Sequence, residues 1–181
     1  PFAEVTLALT DAGACHAAIT QMQVRGAPLI GAVGAFGIAF AMRDDASDAA
    51  LEGAVARFVG ARPTAVNLRW AVERVAGAIR ALSPSARAEA AWGEAVRIAE
   101  EDAAANQQIG EHGAALLEPL IAKLNGARPL RILTHCNAGR LATVAHGTAL
   151  APIYELHRRG VAVEVWVDET RPQEFAIHAD N

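Results

Sequence analysis

The stretch Leu130-Arg131-Ile132-Leu133-Thr134-His135-Cys136-Asn137-Ala138-Gly139 decides the fold. Its first residues form a short apolar run after Pro129, the pattern of a buried strand over Leu130–Thr134. The segment Leu141–Arg159 then reads as a helix, and Gly160 suits the position just past its end. Val161–Val167 reads as a second strand. Strand, helix and strand in that order make the unit of a parallel sheet. Such sheets bind ligands outside the carboxyl ends of their strands. Cys136 stands at that edge, facing the N-terminus of the helix expected near Leu141. Free N–H groups and the helix dipole at such a place favour anions and lower a thiol's pKa. The position therefore suits a catalytic thiol, a phosphate, or both. An inert, packed cysteine is the alternative, a common state for a free thiol.

Upstream of this unit the texture is helical. Thr10-Asp11 make an N-cap pair, followed by Ala14, Ala18, Ile19 and Met22 at helical spacing. Arg25-Gly26-Ala27 breaks that helix, and Pro28 suits the first turn of the next, running to about Met42. The apolar part of that helix is about 14 residues long, short of the roughly 20 that span a bilayer, so it reads as a buried helix in close packing. Asp44, Asp45 and Ser47 form a polar turn, and a short helix is expected over Ala49–Val59. Arg62-Pro63-Thr64 opens the clearest amphipathic segment, with Leu68, Val72, Val75, Ile79 and Leu82 sharing one face. Ser83-Pro84-Ser85 starts a helix expected to run from about Ala86 to Leu117, with a break near Gly110 or Gly113. Asn125 to Pro129 is a linker by composition. These readings give a helical domain over residues 1–126 and a partial parallel α/β domain over 127–181, in an α/β fold class.

Composition narrows the function. The chain has 181 residues, 52% of them apolar, enough to fill a core. Its net charge of −4 gives no electrostatic footprint for a nucleic-acid partner. Two distant cysteines, Cys15 and Cys136, make no disulfide framework, and no CxxC or His/Cys cluster has metal-ligand spacing. A reducing, cytoplasmic setting is inferred. Gly139 and Gly147 make no GxGxxG fingerprint, which argues against a nicotinamide cofactor. His16, His112, His146, His157 and His178 have no Ser or Asp at a recognisable triad spacing.

The C-terminal end is short for its topology. Ala176–Ala179 reads as a third strand, yet only Asp168 to Phe175 separate it from the second. A parallel crossover needs at least about 10–12 residues. Either this piece is not the next parallel strand, or residues are missing between Arg171 and Ile177, and a fragment is expected.

Five motifs now stand in order: Met22-Gln23-Val24-Arg25-Gly26-Ala27-Pro28, Arg62 to Leu68, Asn106-Gln107-Gln108-Ile109-Gly110-Glu111-His112-Gly113, Thr134 to Gly139, and Asp168-Glu169-Thr170-Arg171-Pro172. Together they resemble the 5-methylthioribose-1-phosphate isomerase family of methionine salvage. That family also holds ribose-1,5-bisphosphate isomerases and regulatory subunits of a translation-initiation exchange factor. The resemblance implies a helical domain followed by a Rossmann-like domain, with the site between them, and a homodimer. It implies no cofactor and no metal, and a sugar phosphate as the small-molecule partner, with neither nucleic acid nor membrane.

The implied reaction turns an aldose 1-phosphate into a ketose 1-phosphate. The phosphate blocks the anomeric carbon, so an acid must help break the ring C–O bond before hydrogen moves from C2 to C1. The resemblance assigns these tasks to Cys136 and Asp180. It assigns Arg25, Gly26 and Ala27 to the phosphate, with Arg62 as a second contact. Gln173 lies near the family's substrate-binding glutamine but at a different offset. His135 is a supporting group, and Asp168 is expected to pair with Arg171. Cys15 is packing.

Overall fold

Asp11 opens the first helix. Its backbone is extended, and its carboxylate accepts a hydrogen bond from the Ala14 N–H at 2.7 Å. That bond satisfies a donor that a helix start leaves without a partner, and it holds the Asp11 carboxyl below the usual range. The structure is a computed structural model that describes residues 6–136 and 138–168. The expected third strand at 176–179, with Arg171, Gln173 and Asp180, lies outside the described residues.

Helix α1 spans Ala12–Thr20 and closes with Gln23 N–H donating to Ala18 O at 2.9 Å. Met22 sits between them at φ 57°, the left-handed position that normally takes glycine. Helix α2 spans Ala27–Asp44, with Gly26 as N-cap at φ 86° and Pro28 in its first turn. Helix α3 spans Asp48–Ala61, capped by the Ser47 hydroxyl, which accepts from the Ala50 N–H at 3.2 Å. Helix α4 spans Val66–Ile79 and α5 runs unbroken over Pro84–Leu124.

Two expectations change here. The amphipathic helix begins at Val66, because Arg62 to Ala65 form a turn closed by Ala65 N–H to Arg62 O at 2.9 Å. Leu68, Val72, Val75 and Ile79 are fully buried, whereas Leu82 lies past the helix end and is exposed. The long helix does not break at Gly110 or Gly113. These glycines are points of close approach: a Cβ at Gly110 would sit 3.1 Å from the backbone Ala151 O, and one at Gly113 would sit 2.3 Å from Cγ of the Pro152 ring.

The chain divides into two compact units, residues 4–101 and residues from 102 onwards. Composition changes at 126/127, where helix gives way to strand. Packing divides the units inside α5, since its later turns carry Gly110 and Gly113.

In the first unit α2 is the central helix, packed by α1, α3 and α4. It is long and apolar enough to be weighed as a membrane span, yet 56% of it is buried in this bundle. Three glycines on α2 set the packing distance. A Cβ at Gly37 would sit 2.2 Å from Phe58 Cζ, one at Gly34 would sit 2.4 Å from Leu68 Cδ1, and one at Gly31 would sit 3.0 Å from Asn67 O. Trp92 of α5 meets Phe36 and Phe40 edge to face, with centroids 5.2 and 5.5 Å apart. Arg74 bridges Glu94 and Glu101 on α5.

The second unit carries a two-stranded parallel sheet, β1 (Leu130–Thr134) and β2 (Val163–Val167), paired from Leu130↔Val163 to Thr134↔Val167. Between them lies α6, Ala151–Arg158. It ends as the sequence implies: Gly160 at φ 77°, with Val161 N–H donating to Leu156 O at 3.0 Å. The helix expected over 141–159 is much shorter. Residues Arg140–Ala142 make one 3-10 turn, and a loop occupies the rest up to Leu150. Gly147 at φ 76° and Pro152 in the first turn of α6 explain the late start.

Candidate functional site

The first group of candidate residues lies in the helical unit. Gly26 takes φ 86°, ψ 134°, a conformation that disfavours a Cβ, and no side chain caps the helix it opens. The N–H groups of the first turn of α2 are thus left for another acceptor. Arg25 precedes Gly26 and is half-buried. Arg62 is the C-cap of α3, at the entry to the turn before α4. The close approaches between α2 and α4 run in one direction along both helices: Gly31 to Asn67, then Gly34 to Leu68 and Val72. The N-termini of α2 and α4 therefore lie at one end of the bundle, which gathers Arg25, Gly26, Ala27 and Arg62 there. Sequence spacing alone does not reveal this, because it requires the two helices to run parallel.

The second group lies in the α/β unit, at the carboxyl edge of the sheet. β1 ends at Thr134, and Asp168 N–H extends the ladder by donating to Thr134 O at 3.1 Å. Cys136 follows, exposed and at φ 71°. The helix expected near Leu141 does not begin there: a 3-10 turn of three residues and a loop intervene before α6 begins at Ala151. His135 pairs through Nδ1 with Asp168 Oδ2 at 3.5 Å, both side chains exposed. Asp168 thus has His135 as a partner, while Arg171 lies outside the described residues.

The loop after Cys136 is tightly made. The Thr143 hydroxyl accepts from Gly147 N–H at 3.1 Å and donates to Ala145 O at 2.9 Å. Thr148 N–H donates to Ala138 O at 2.9 Å, and the Asp102 carboxylate of α5 accepts from Val144 N–H at 2.8 Å. Ala138, Ala142 and Thr143 are buried by this folding back. A Cβ at Gly147 would meet Ala138 O, Arg140 N and the Gly139 carbonyl carbon, each at 3.0 Å.

The two cysteines differ sharply. Cys15 is 1% exposed, and burial pushes its thiol up to about 11. Cys136 is open to reagents. Among the described residues no group of three His, Cys, Asp or Glu side chains could hold a metal ion.

A cavity of about 750 Å³ lies beside this loop. Asn106, Gln107, Gly110 and Glu111 of α5 form one wall, residues 140–141 and 144–146 a second, and Ala151, Tyr154, Glu155 and Arg158 of α6 a third. No single residue type in Asn106 to Gly113 marks it in the sequence as part of a cavity wall. The signal was the spacing: Asn106, Gly110 and Gly113 recur on one helical face.

The Initiation factor 2 subunit family model matches residues 23–176. The chain belongs to that family. Among curated proteins it is 54% identical over 167 residues to a methylthioribose-1-phosphate isomerase of Gluconobacter oxydans, covering 92% of this chain and 45% of the relative. It is 56% identical over 173 residues to the protein of the same name from Methylobacterium nodulans, covering 96% and 47%. Two solved structures are similar. The translation initiation factor eIF-2B subunit delta from A. fulgidus matches with TM-score 0.79 and 36% identity, over 96% of this chain and 51% of that one. The 5-methylthioribose 1-phosphate isomerase from Pyrococcus horikoshii matches with TM-score 0.75 and 35% identity, over 91% and 46%. The chain thus spans about half the length of the relatives it matches.

Proposed function

We propose that the protein carrying this chain is an aldose–ketose isomerase that converts 5-methylthioribose 1-phosphate to 5-methylthioribulose 1-phosphate. The observation that carries the reading is identity: eight curated proteins of that name are 50–56% identical over 88–96% of the chain. Cys136 at the carboxyl edge of β1 and the Arg25-Gly26-Ala27 helix start supply the residue types the chemistry needs.

In this proposal the backbone N–H groups after Gly26, with Arg25 and Arg62, hold the phosphate. Such donors at a helix start bind anions, and a guanidinium adds a charged fork. Asp180 donates a proton to the ring oxygen as the C1–O bond breaks. One hydrogen then moves from C2 to C1, and the C2 hydroxyl returns its proton to the Asp180 carboxylate as it becomes the carbonyl, so atoms and electrons balance without an external oxidant. Cys136 acts beside C1 and C2, and Gln173 contacts the sugar. The proposal also holds that the enzyme needs no cofactor, works as a homodimer and resides in the cytoplasm.

The likeness to the eIF-2B subunit supports a second reading, a regulatory subunit without turnover. Turnover separates the two. The first reading expects the full-length protein to form the ketose product, and expects Cys136→Ser and Asp180→Asn to abolish it in folded protein. A folded, intact protein that binds the substrate without converting it supports the second. Turnover of ribose 1,5-bisphosphate in its place would keep the reaction and change the substrate.

A further inference from the structure

We propose that the cavity beside α5 and α6 binds a small organic anion, with Arg140 and Tyr154 at its charged group and the Asn106 carboxamide at a neutral hydrogen-bonding group. Two buried polar groups converge on it. Asn106 is 3% exposed on the cavity wall, and its Nδ2 has no hydrogen-bond partner among the described residues. The Tyr154 hydroxyl on the facing helix is likewise buried, with no hydrogen-bond partner among the described residues. Two such groups in one cavity are costly to leave unpaired, and a ligand would satisfy them.

The charges select the sign of the ligand. Glu155 is matched by Arg158 and Arg159, at 2.7 Å from each, and Glu111, which accepts from the neutral Gln107 at 2.9 Å, has Arg158 within its electrostatic reach. Arg140 makes no ion pair among the described residues, and its charge reaches the Tyr154 phenol. Leu141, Val144 and Ala151 supply an apolar lining. The volume of about 750 Å³ suits a small molecule. None of Cys136, Arg25 and Arg62 lines the cavity, so the inference stands apart from the isomerase reading.

The anion could be a carboxylate or a phosphate monoester. The test uses lactate and glycerol 3-phosphate, which share an anionic group with a nearby hydroxyl. The full-length protein is labelled with 3-fluorotyrosine. Tyr154 is the one tyrosine in these 181 residues, and loss of its signal in Tyr154→Phe assigns the resonance. A saturable shift with either probe, weakened at least tenfold by Arg140→Met, is expected. Asn106→Leu should weaken the same probe while leaving inorganic phosphate unchanged. Whichever probe responds names the anion. No saturable shift with either, or a shift indifferent to Arg140→Met, would overturn the proposal.

Discussion

The helical unit and the α/β unit hide apolar surface to different degrees. In the first, Ile19, Ile38, Phe58, Leu68, Val72, Val75 and Ile79 are all fully buried around one glycine-lined helix. In the second, the buried clusters are small, built around Ala114, Leu130 and Leu156 and around Ala138, Leu150 and Ile153. Leu133 and Trp166, partners across the sheet, remain 69% and 59% exposed. A helical bundle closes its core from local segments. A parallel sheet needs covering on both faces, and two strands with one helix cover little of it. Substitutions should therefore cost much in the first unit and little on the open sheet face of the second.

The largest effect is expected at Phe58. Phe58→Ala should destabilise the fold by about 3–5 kcal/mol, measured as a shift in denaturation midpoint. A small loss would mean the bundle collapses easily onto the vacancy. Next comes the thiol pair. At pH 8 a thiol reagent should modify Cys136 quickly and Cys15 only on unfolding. Because burial raises the Cys15 pKa above its ordinary 9.0 to about 11, the neutral thiol favours the folded state up to pH near 9, and that contribution is lost as pH rises through 11. Equal labelling of both cysteines in folded protein would contradict the burial.

Gly37→Ala should cost about 1–3 kcal/mol, because the new methyl meets the Phe58 ring. Combining it with Phe58→Leu should cost less than the sum, as a double-mutant cycle would reveal. Met22→Gly should stabilise by about 1 kcal/mol, since a side chain at φ 57° is strained there. The smallest effect is expected at Leu133→Thr and Trp166→Thr, each within about 0.5 kcal/mol in the 181-residue chain. A large loss there would show that this face is covered and would erase the contrast.

Much of the helical unit was legible in the sequence. Asp11, Ser47, Pro28 and the Leu68-to-Ile79 stripe are local signals, and local signals fix where helices start and which face they bury. Strand β1 and the Gly160 stop were equally plain. The loop over 143–150 was not, because its residues carry no helix breaker except Gly147, and what holds it is the Thr143 hydroxyl with Asp102, 41 positions upstream of Thr143. The surroundings of Cys136 were illegible for the same reason, since the helix that follows it begins only at Ala151. The parallel run of α2 and α4, which gathers Arg25 and Arg62 at one end, is a tertiary fact with no sequence period. Asp180 and Gln173 rest on the motif resemblance.

The most direct measurement is turnover of 5-methylthioribose 1-phosphate by the full-length protein, wild type beside Cys136→Ser, with folding of both checked by circular dichroism. The account predicts ketose formation by the wild type and none by the variant, with both folded alike. Equal turnover by the two would contradict the role of Cys136, and no turnover by a folded wild type would contradict the isomerase itself.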